Sequence, residues 1–213
     1  MPLWRRRHFN LLGLSLLLQG VLQPLAFANS STLLVVGDSL SAEYGLPRGS
    51  GWVALLEQPL GREKTPWRVV NASISGDTTA GGRARLPALL KQHQPSIVII
   101  ELGGNDALRG FPLSMTEDNL QAMVQACQAL RAKVLLLGMQ VPPNYGADYT
   151  AEFSKMFTRL AKKHKTAVVP FLLKGIADVP NAAEQFQSDR IHPNAQAHPR
   201  MLANVWAELK KLL

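Results

Sequence analysis

Five short apolar runs are spaced along the chain, and segments with a helical pattern lie between them. The runs are rich in valine, isoleucine and leucine and do not alternate with polar residues, which is typical of strands buried on both faces of a parallel sheet. They predict strands at residues 32–36, 68–71, 96–101, 133–139 and 166–170. Apolar positions at helical spacing predict helices at residues 51–58, 84–92, 116–132, 150–164 and 195–213.

The alternation of strands and helices predicts an α/β protein. Helices that follow parallel strands return the chain across the faces of the sheet, so the expected architecture is a three-layer α/β/α sandwich. We expect five parallel strands in the flavodoxin-like order 2-1-3-4-5. No internal repeat or low-complexity linker divides residues 29–213, which therefore predict a single domain.

The first 28 residues follow the pattern of a secretory signal peptide. Three arginines at positions 5–7 precede an apolar run at residues 11–18, and an Ala-x-Ala site ends at Ala28. The apolar run is too short for a permanent membrane span. We therefore expect a cleaved leader and a periplasmic or secreted protein with no stable membrane anchor.

Composition narrows the classes of function. Lysine and arginine total 23 against 15 acidic residues, but they form no long block and do not interleave with aromatic residues, so nucleic-acid binding is not indicated. The single cysteine, Cys127, excludes an intramolecular disulfide and falls on the apolar face of a predicted helix. No histidine has the spacing of a metal ligand, and the glycine pair before Asn105 lacks a phosphate-loop lysine. We expect neither a metal nor another cofactor.

Polar residues follow the predicted strands at the points where ligands bind in parallel sheets. Ser39 follows the first strand, Gly76 the second and Asn105 the third, and the connection after the last strand brings Asp189 and His192. A serine beside a histidine base, with a carboxylate to orient that base, can transfer acyl groups. Two backbone N–H groups, those of Ser39 and Gly76, and the Asn105 amide could stabilise the oxyanion of such a reaction.

These motifs resemble the four blocks of the SGNH (GDSL-type) hydrolases, in order and in spacing. The blocks are GDSLS, ISGDT, GGND and D-x-x-H-P. The sequence around them is most similar to the periplasmic branch of multifunctional thioesterases, lysophospholipases and arylesterases. The resemblance implies the SGNH hydrolase fold. It also implies Ser39 as nucleophile and oxyanion donor, Gly76 and Asn105 as further donors, and Asp189 and His192 as the rest of the triad.

The resemblance implies an exported serine esterase that hydrolyses carboxylic esters and thioesters through an acyl-enzyme. Lysophospholipids, acyl thioesters and aryl or alkyl esters of short to medium chain length are the expected substrates. Two alternatives stay open: an acetylesterase acting on envelope polysaccharide, and a catalytically silent lipid- or glycan-binding module. Glu43, Ser188 and Arg190 depart from the family pattern, and they bear on substrate preference.

Two loops are expected to form the substrate groove. Val141, Pro142 and Tyr145 supply apolar walls after the fourth strand, whereas small residues at 75–82 leave room for an acyl chain and include glycines that would let this loop move. We expect a single small-molecule or lipid ester as the binding partner and a monomeric enzyme.

Overall fold

The sheet has the order expected from the sequence. The computed structural model describes residues 31–213, so the expected signal peptide lies outside the described residues. Its strands are β1 (Ser31–Gly37), β2 (Trp67–Asn71), β3 (Ile97–Glu101), β4 (Lys133–Leu137) and β5 (Ala167–Val169). All five are parallel, in the order β2-β1-β3-β4-β5. The predicted flavodoxin-like order is confirmed.

Helices cover the sheet. They are α1 (Trp52–Leu55), α2 (Glu57–Leu60), α3 (Thr79–His93), α4 (Gly104–Leu108), α5 (Leu113–Ala129), α6 (Ala147–His164) and α7 (His198–Leu209). Helices α3, α5 and α6 pack side by side, and α1 packs on α7. Every residue of β3 is buried, as a strand covered on both faces must be. The three-layer α/β/α sandwich is therefore confirmed. No helix within residues 31–213 has the length and apolarity needed to cross a membrane.

Helix α3 begins at Thr79, well before the predicted start at residue 84. The Thr79 N–H donates to Asp106 Oδ2 at 2.9 Å and its hydroxyl donates to Oδ1 at 2.5 Å, so a carboxylate from another segment fixes the first turn. Gly81 and Gly82 consequently lie inside the helix. The expectation that they form a mobile part of the loop at 75–82 is wrong, because their backbone is committed to the first turn of α3.

The C-terminal helix is shorter than predicted. A 3-10 turn at Ala195–Ala197 precedes α7, which ends at Leu209. Its buried face includes Met201, Val205 and Leu209 at helical spacing, which packs the helix on the sheet near β5. The long irregular connection before it, residues 170–194, carries the last polar motif to the carboxyl edge of the sheet.

Candidate active site

At the carboxyl edge of the sheet, the side chains of Ser39, His192 and Asp189 form a hydrogen-bonded chain. Ser39 is the second residue after β1 and is half-buried. His192 Nε2 lies 2.9 Å from Ser39 Oγ, and His192 Nδ1 lies 2.7 Å from Asp189 Oδ2. Ser39 and His192 are 153 positions apart in the chain, so the fold brings them together.

The turn that carries Asp189 and His192 explains their spacing of three residues. Asp189 Oδ1 accepts hydrogen bonds from the backbone N–H of His192 at 3.0 Å and of Ile191 at 2.9 Å, while its Oδ2 faces the imidazole. The bonds from the His192 backbone and ring and from the Ile191 backbone lower the pKa of Asp189 to about 2. The Asp189 carboxylate is therefore ionised at neutral pH.

Two side chains that the sequence did not single out support the histidine. The Tyr44 ring lies 4.3 Å from the His192 ring, measured between centroids, at an interplanar angle of 36°. Gln187 donates its side-chain amide to the backbone carbonyls of Tyr44 at 2.9 Å and Pro193 at 3.1 Å. The only sequence signal for Tyr44 is its position a few residues after Ser39, which does not predict a ring contact with a residue near the C-terminus.

His198 contacts the loop that carries His192 and connects it to α1. Its ring is buried, and its Nδ1 accepts the Trp52 backbone N–H at 2.9 Å. Burial lowers the pKa of His198, although a hydrogen bond to the backbone of Pro193 opposes this effect. The neutral ring thus ties α1 to the residue next to His192.

Gly76 and Asn105 lie on the two loops that flank the serine turn, because β1 runs between β2 and β3. Gly76 has a φ of +78°, and its carbonyl accepts from Arg109 Nη2 at 2.9 Å. Asn105 lies in the first turn of α4, and its Nδ2 donates to Asp38 Oδ2 at 3.0 Å. One of its two amide hydrogens is thereby used, and the second remains for an oxyanion.

A buried pair of carboxyl groups, Asp38 and Glu101, lies beneath the serine turn. Burial raises the pKa of Asp38 to about 6 and raises that of Glu101 well above its usual value, with the Asp38 charge as a further cause for Glu101. Neither residue is among the site residues predicted from the sequence. The available signal was a glutamate at the end of the otherwise apolar run IVIIE.

The three predicted groove residues differ in exposure. Val141 is buried in the core, Pro142 is exposed and Tyr145 is half-buried. Tyr145 begins a row of aromatic rings that continues through Tyr149, Phe153 and Phe157, with centroid distances of 6.4, 6.4 and 5.4 Å.

This aromatic row reaches the loop that carries Asn105. A Cβ placed on Gly103 would lie 3.4 Å from Phe157 and 3.8 Å from Phe153. Phe153 and Phe157 are fully buried and belong to the core, so only Tyr145 and Tyr149, at the start of the row, are partly exposed. Gly103 itself has a φ of +118°, a backbone conformation that favours glycine.

Two of the residues that depart from the family pattern, Glu43 and Arg190, have left-handed backbone conformations. Glu43 has a φ of +58°, and its carboxylate accepts the backbone N–H groups of Gly49 at 3.0 Å and Gly51 at 2.8 Å. Arg190 also has a positive φ, +58°, in the turn between Asp189 and His192. Within residues 31–213, no group of three or more His, Cys, Asp or Glu side chains has the arrangement of a metal site.

Comparison with known proteins gives consistent matches. The GDSL-like Lipase/Acylhydrolase family matches residues 35–200. Esterase TesA of Pseudomonas aeruginosa is 54% identical over 186 residues, which cover 87% of this chain and 91% of that protein. Thioesterase 1/protease 1/lysophospholipase L1 of Escherichia coli is 45% identical over 179 residues, covering 84% of this chain and 83% of that protein. A crystal structure of the psychrotrophic esterase EstA from Pseudoalteromonas sp., inhibited by monoethylphosphonate, has a TM-score of 0.78 at 40% identity and covers 85% of this chain and 98% of its own.

Proposed function

The chain belongs to the GDSL-like Lipase/Acylhydrolase family, and from that premise we propose that it is an exported serine esterase that hydrolyses esters and thioesters through an acyl-enzyme on Ser39. The observation that carries the proposal is the hydrogen-bonded series of Ser39 Oγ, His192 and Asp189, with distances of 2.9 and 2.7 Å. A hydroxyl, a neutral imidazole and an ionised carboxylate in this order form the minimal apparatus for nucleophilic acyl transfer.

Each group has a defined task in the proposed reaction. His192 Nε2 takes the proton of Ser39 Oγ as the oxygen attacks the carbonyl carbon, and the Asp189 carboxylate stabilises the imidazolium that forms. The N–H groups of Ser39 and Gly76 and the amide of Asn105 receive the oxyanion. The imidazolium then protonates the leaving alcohol or thiol as the acyl bond to it breaks, and a water molecule repeats the sequence to release the acid.

The proposed substrates are lysophospholipids, acyl thioesters and simple aryl or alkyl esters of short to medium chain length. The names of the two relatives, an esterase and a thioesterase/lysophospholipase, support these classes. The partly exposed rings of Tyr145 and Tyr149 support one apolar wall for a single acyl chain. Val141 is buried in the core, so in the proposal Tyr145 and Pro142 are the groove residues that meet substrate.

A series of p-nitrophenyl esters from acetate to decanoate tests the proposal. Because each buried methylene contributes up to about 0.8 kcal/mol, kcat/KM should rise over the first several carbons and level off where the wall ends. Ser39→Ala and His192→Ala should lose nearly all turnover on every ester, which would exclude a silent binding module. If activity is greatest on the acetate ester and the enzyme releases acetate from an acetylated polysaccharide, the lipid ester hypothesis is wrong and the acetylesterase alternative is supported.

Export and a monomeric state complete the proposal. The arginines at 5–7 and the Ala-x-Ala site ending at Ala28 support cleavage after Ala28 by a signal peptidase. Intact-mass analysis of the periplasmic fraction of a Gram-negative host should find a chain that begins at Asn29, and size-exclusion chromatography should find one copy. Retention of residues 1–28 in the membrane fraction would contradict the export proposal.

A further inference from the structure

The side chain of Glu101 lies beneath the serine turn. It is the last residue of β3 and pairs in register with Gly37, the last residue of β1. Its Oε2 accepts the hydroxyl of Ser41 at 2.8 Å and the backbone N–H of Asp38 at 3.3 Å. A Cβ on Gly37 would lie 2.8 Å from both Glu101 Oε2 and Ser41 Oγ, so the absence of a side chain at this position leaves the room that the acid occupies. The fold thus accommodates a buried acid directly below the proposed nucleophile.

The Glu101 and Asp38 carboxyl groups are buried together beneath this turn, where the Asp38 backbone N–H donates to Glu101 Oε2. Two carboxyl groups can share a hydrogen bond only if one of them carries the proton. Both Asp38 oxygens accept N–H donors, from Leu40 and Asn105, whereas only one Glu101 oxygen accepts hydrogen bonds. This arrangement assigns the charge to Asp38 and the proton to Glu101, and burial, which raises the pKa of both groups, favours one shared proton.

The Asp38 carboxylate in turn holds the proposed oxyanion donor. Its Oδ2 accepts from Asn105 Nδ2 at 3.0 Å, and its Oδ1 accepts the Leu40 backbone N–H at 3.0 Å. Asp38 has only 3% of its surface exposed, so its orientation depends on these protein partners and not on solvent. A hydrogen bond from Glu101 would give this carboxylate a third protein partner.

We propose that Glu101 is a positioning residue: as a neutral acid it donates a hydrogen bond to Asp38, and this bond fixes the carboxylate that aims the Asn105 amide at the oxyanion. The inference deepens the proposed function and rests on it. Misplacing a donor by a fraction of an ångström weakens its bond to the transition state more than its bond to substrate. Loss of the Glu101 donor should therefore lower kcat and leave KM nearly unchanged.

Substitutions at Glu101 test this role on the full chain with p-nitrophenyl butyrate. Glu101→Leu removes the donor at similar volume and should lower kcat about 10- to 100-fold with KM within about twofold. Glu101→Gln keeps a donor for Asp38 and an acceptor for Ser41, so it should restore kcat to within about threefold of wild type. In an Asn105→Ala background, Glu101→Leu should change kcat by less than about threefold, because the group through which it acts is gone.

A matched control separates positioning from stability. Ile97 is buried at the opposite end of β3 from Glu101. Ile97→Ala should lower the melting temperature, because it leaves a cavity in the core, and should leave kcat unchanged. An equal loss of kcat in Glu101→Leu and Glu101→Gln, or a full effect of Glu101→Leu in the Asn105→Ala background, would overturn the inference. Activity that survives Ser39→Ala would instead overturn the proposed function, so the two failures are distinguishable.

A spectroscopic measurement decides the protonation state even if Glu101→Leu does not fold. The infrared spectrum of the wild type at neutral pH should contain the carbonyl stretching band of a protonated carboxylic acid, and Glu101→Gln should lack that band. Absence of the band from the wild type would overturn the inference, because an ionised Glu101 has no proton to donate to Asp38.

Discussion

Asn105→Ala isolates one proposed oxyanion donor. The amide makes one hydrogen bond within the protein, to Asp38 Oδ2, and the proposal assigns its second hydrogen to the oxyanion. Removal of one such donor lowers kcat by roughly 10²–10³-fold, or about 2.7–4 kcal/mol of transition-state stabilisation. The substitution also removes one partner of a buried carboxylate, but Asp38 keeps the Leu40 N–H and Glu101. We therefore expect a stability loss near the lower end of the usual range, about 1 kcal/mol.

The assay is steady-state hydrolysis of p-nitrophenyl butyrate, paired with urea unfolding. It should be run at about pH 8, because the Asn105 bond lowers the pKa of Asp38 and its loss would raise that pKa above 6. Asn204→Ala is the matched control: this residue donates to the Leu172 and Lys174 carbonyls at 2.9 Å, so its loss should lower stability and spare kcat. A change confined to KM, or an unchanged kcat, would refute the assignment of Asn105 to the oxyanion.

Three further predictions concern single side chains. Asp189→Asn should fold and yet lower kcat by up to about 10⁴-fold, because the carboxylate no longer sets the His192 tautomer; equal kcat in the two proteins would contradict this. The pKa of His198 is lowered from 6.5, so the free energy of unfolding should fall as the pH drops below that value. His198→Asn keeps an acceptor for the Trp52 N–H without titrating, and urea titrations at several pH values should show a flatter slope. Cys127 is buried with its pKa raised to about 12, so a thiol reagent should label it only after unfolding and leave activity intact.

The sequence predicts the sheet well because each strand is an apolar run with both faces buried, which is a local property. It does not predict α4, whose residues Gly104, Asn105 and Asp106 are common in turns. The helical turn forms there alongside a contact 27 positions away, since Asp106 binds Thr79 at the start of α3. Because of the same contact, α3 begins before Gly81 and Gly82, a glycine pair that is typical of a loop.

The candidate site divides in the same way. The pairing of Asp189 with His192 is contained within one turn, so their spacing in the sequence predicts it. Tyr44 and Glu101 are different, because each contacts a residue that lies far away in the sequence and that only the fold brings near. Glu101 meets Ser41 across 60 positions, and only the register of β1 against β3 reveals that contact.

Covalent labelling of Ser39 tests the central claim most directly. The wild type is treated with a p-nitrophenyl alkylphosphonate, which releases nitrophenol as it phosphonylates an activated serine, and the products are measured by intact mass and by peptide mass mapping. The account predicts one phosphonyl group per chain, located on the peptide that contains Ser39, in proportion to the activity lost, and none on Ser39→Ala. Full inactivation with the label on another residue, or equal labelling of wild type and Ser39→Ala, would contradict the account.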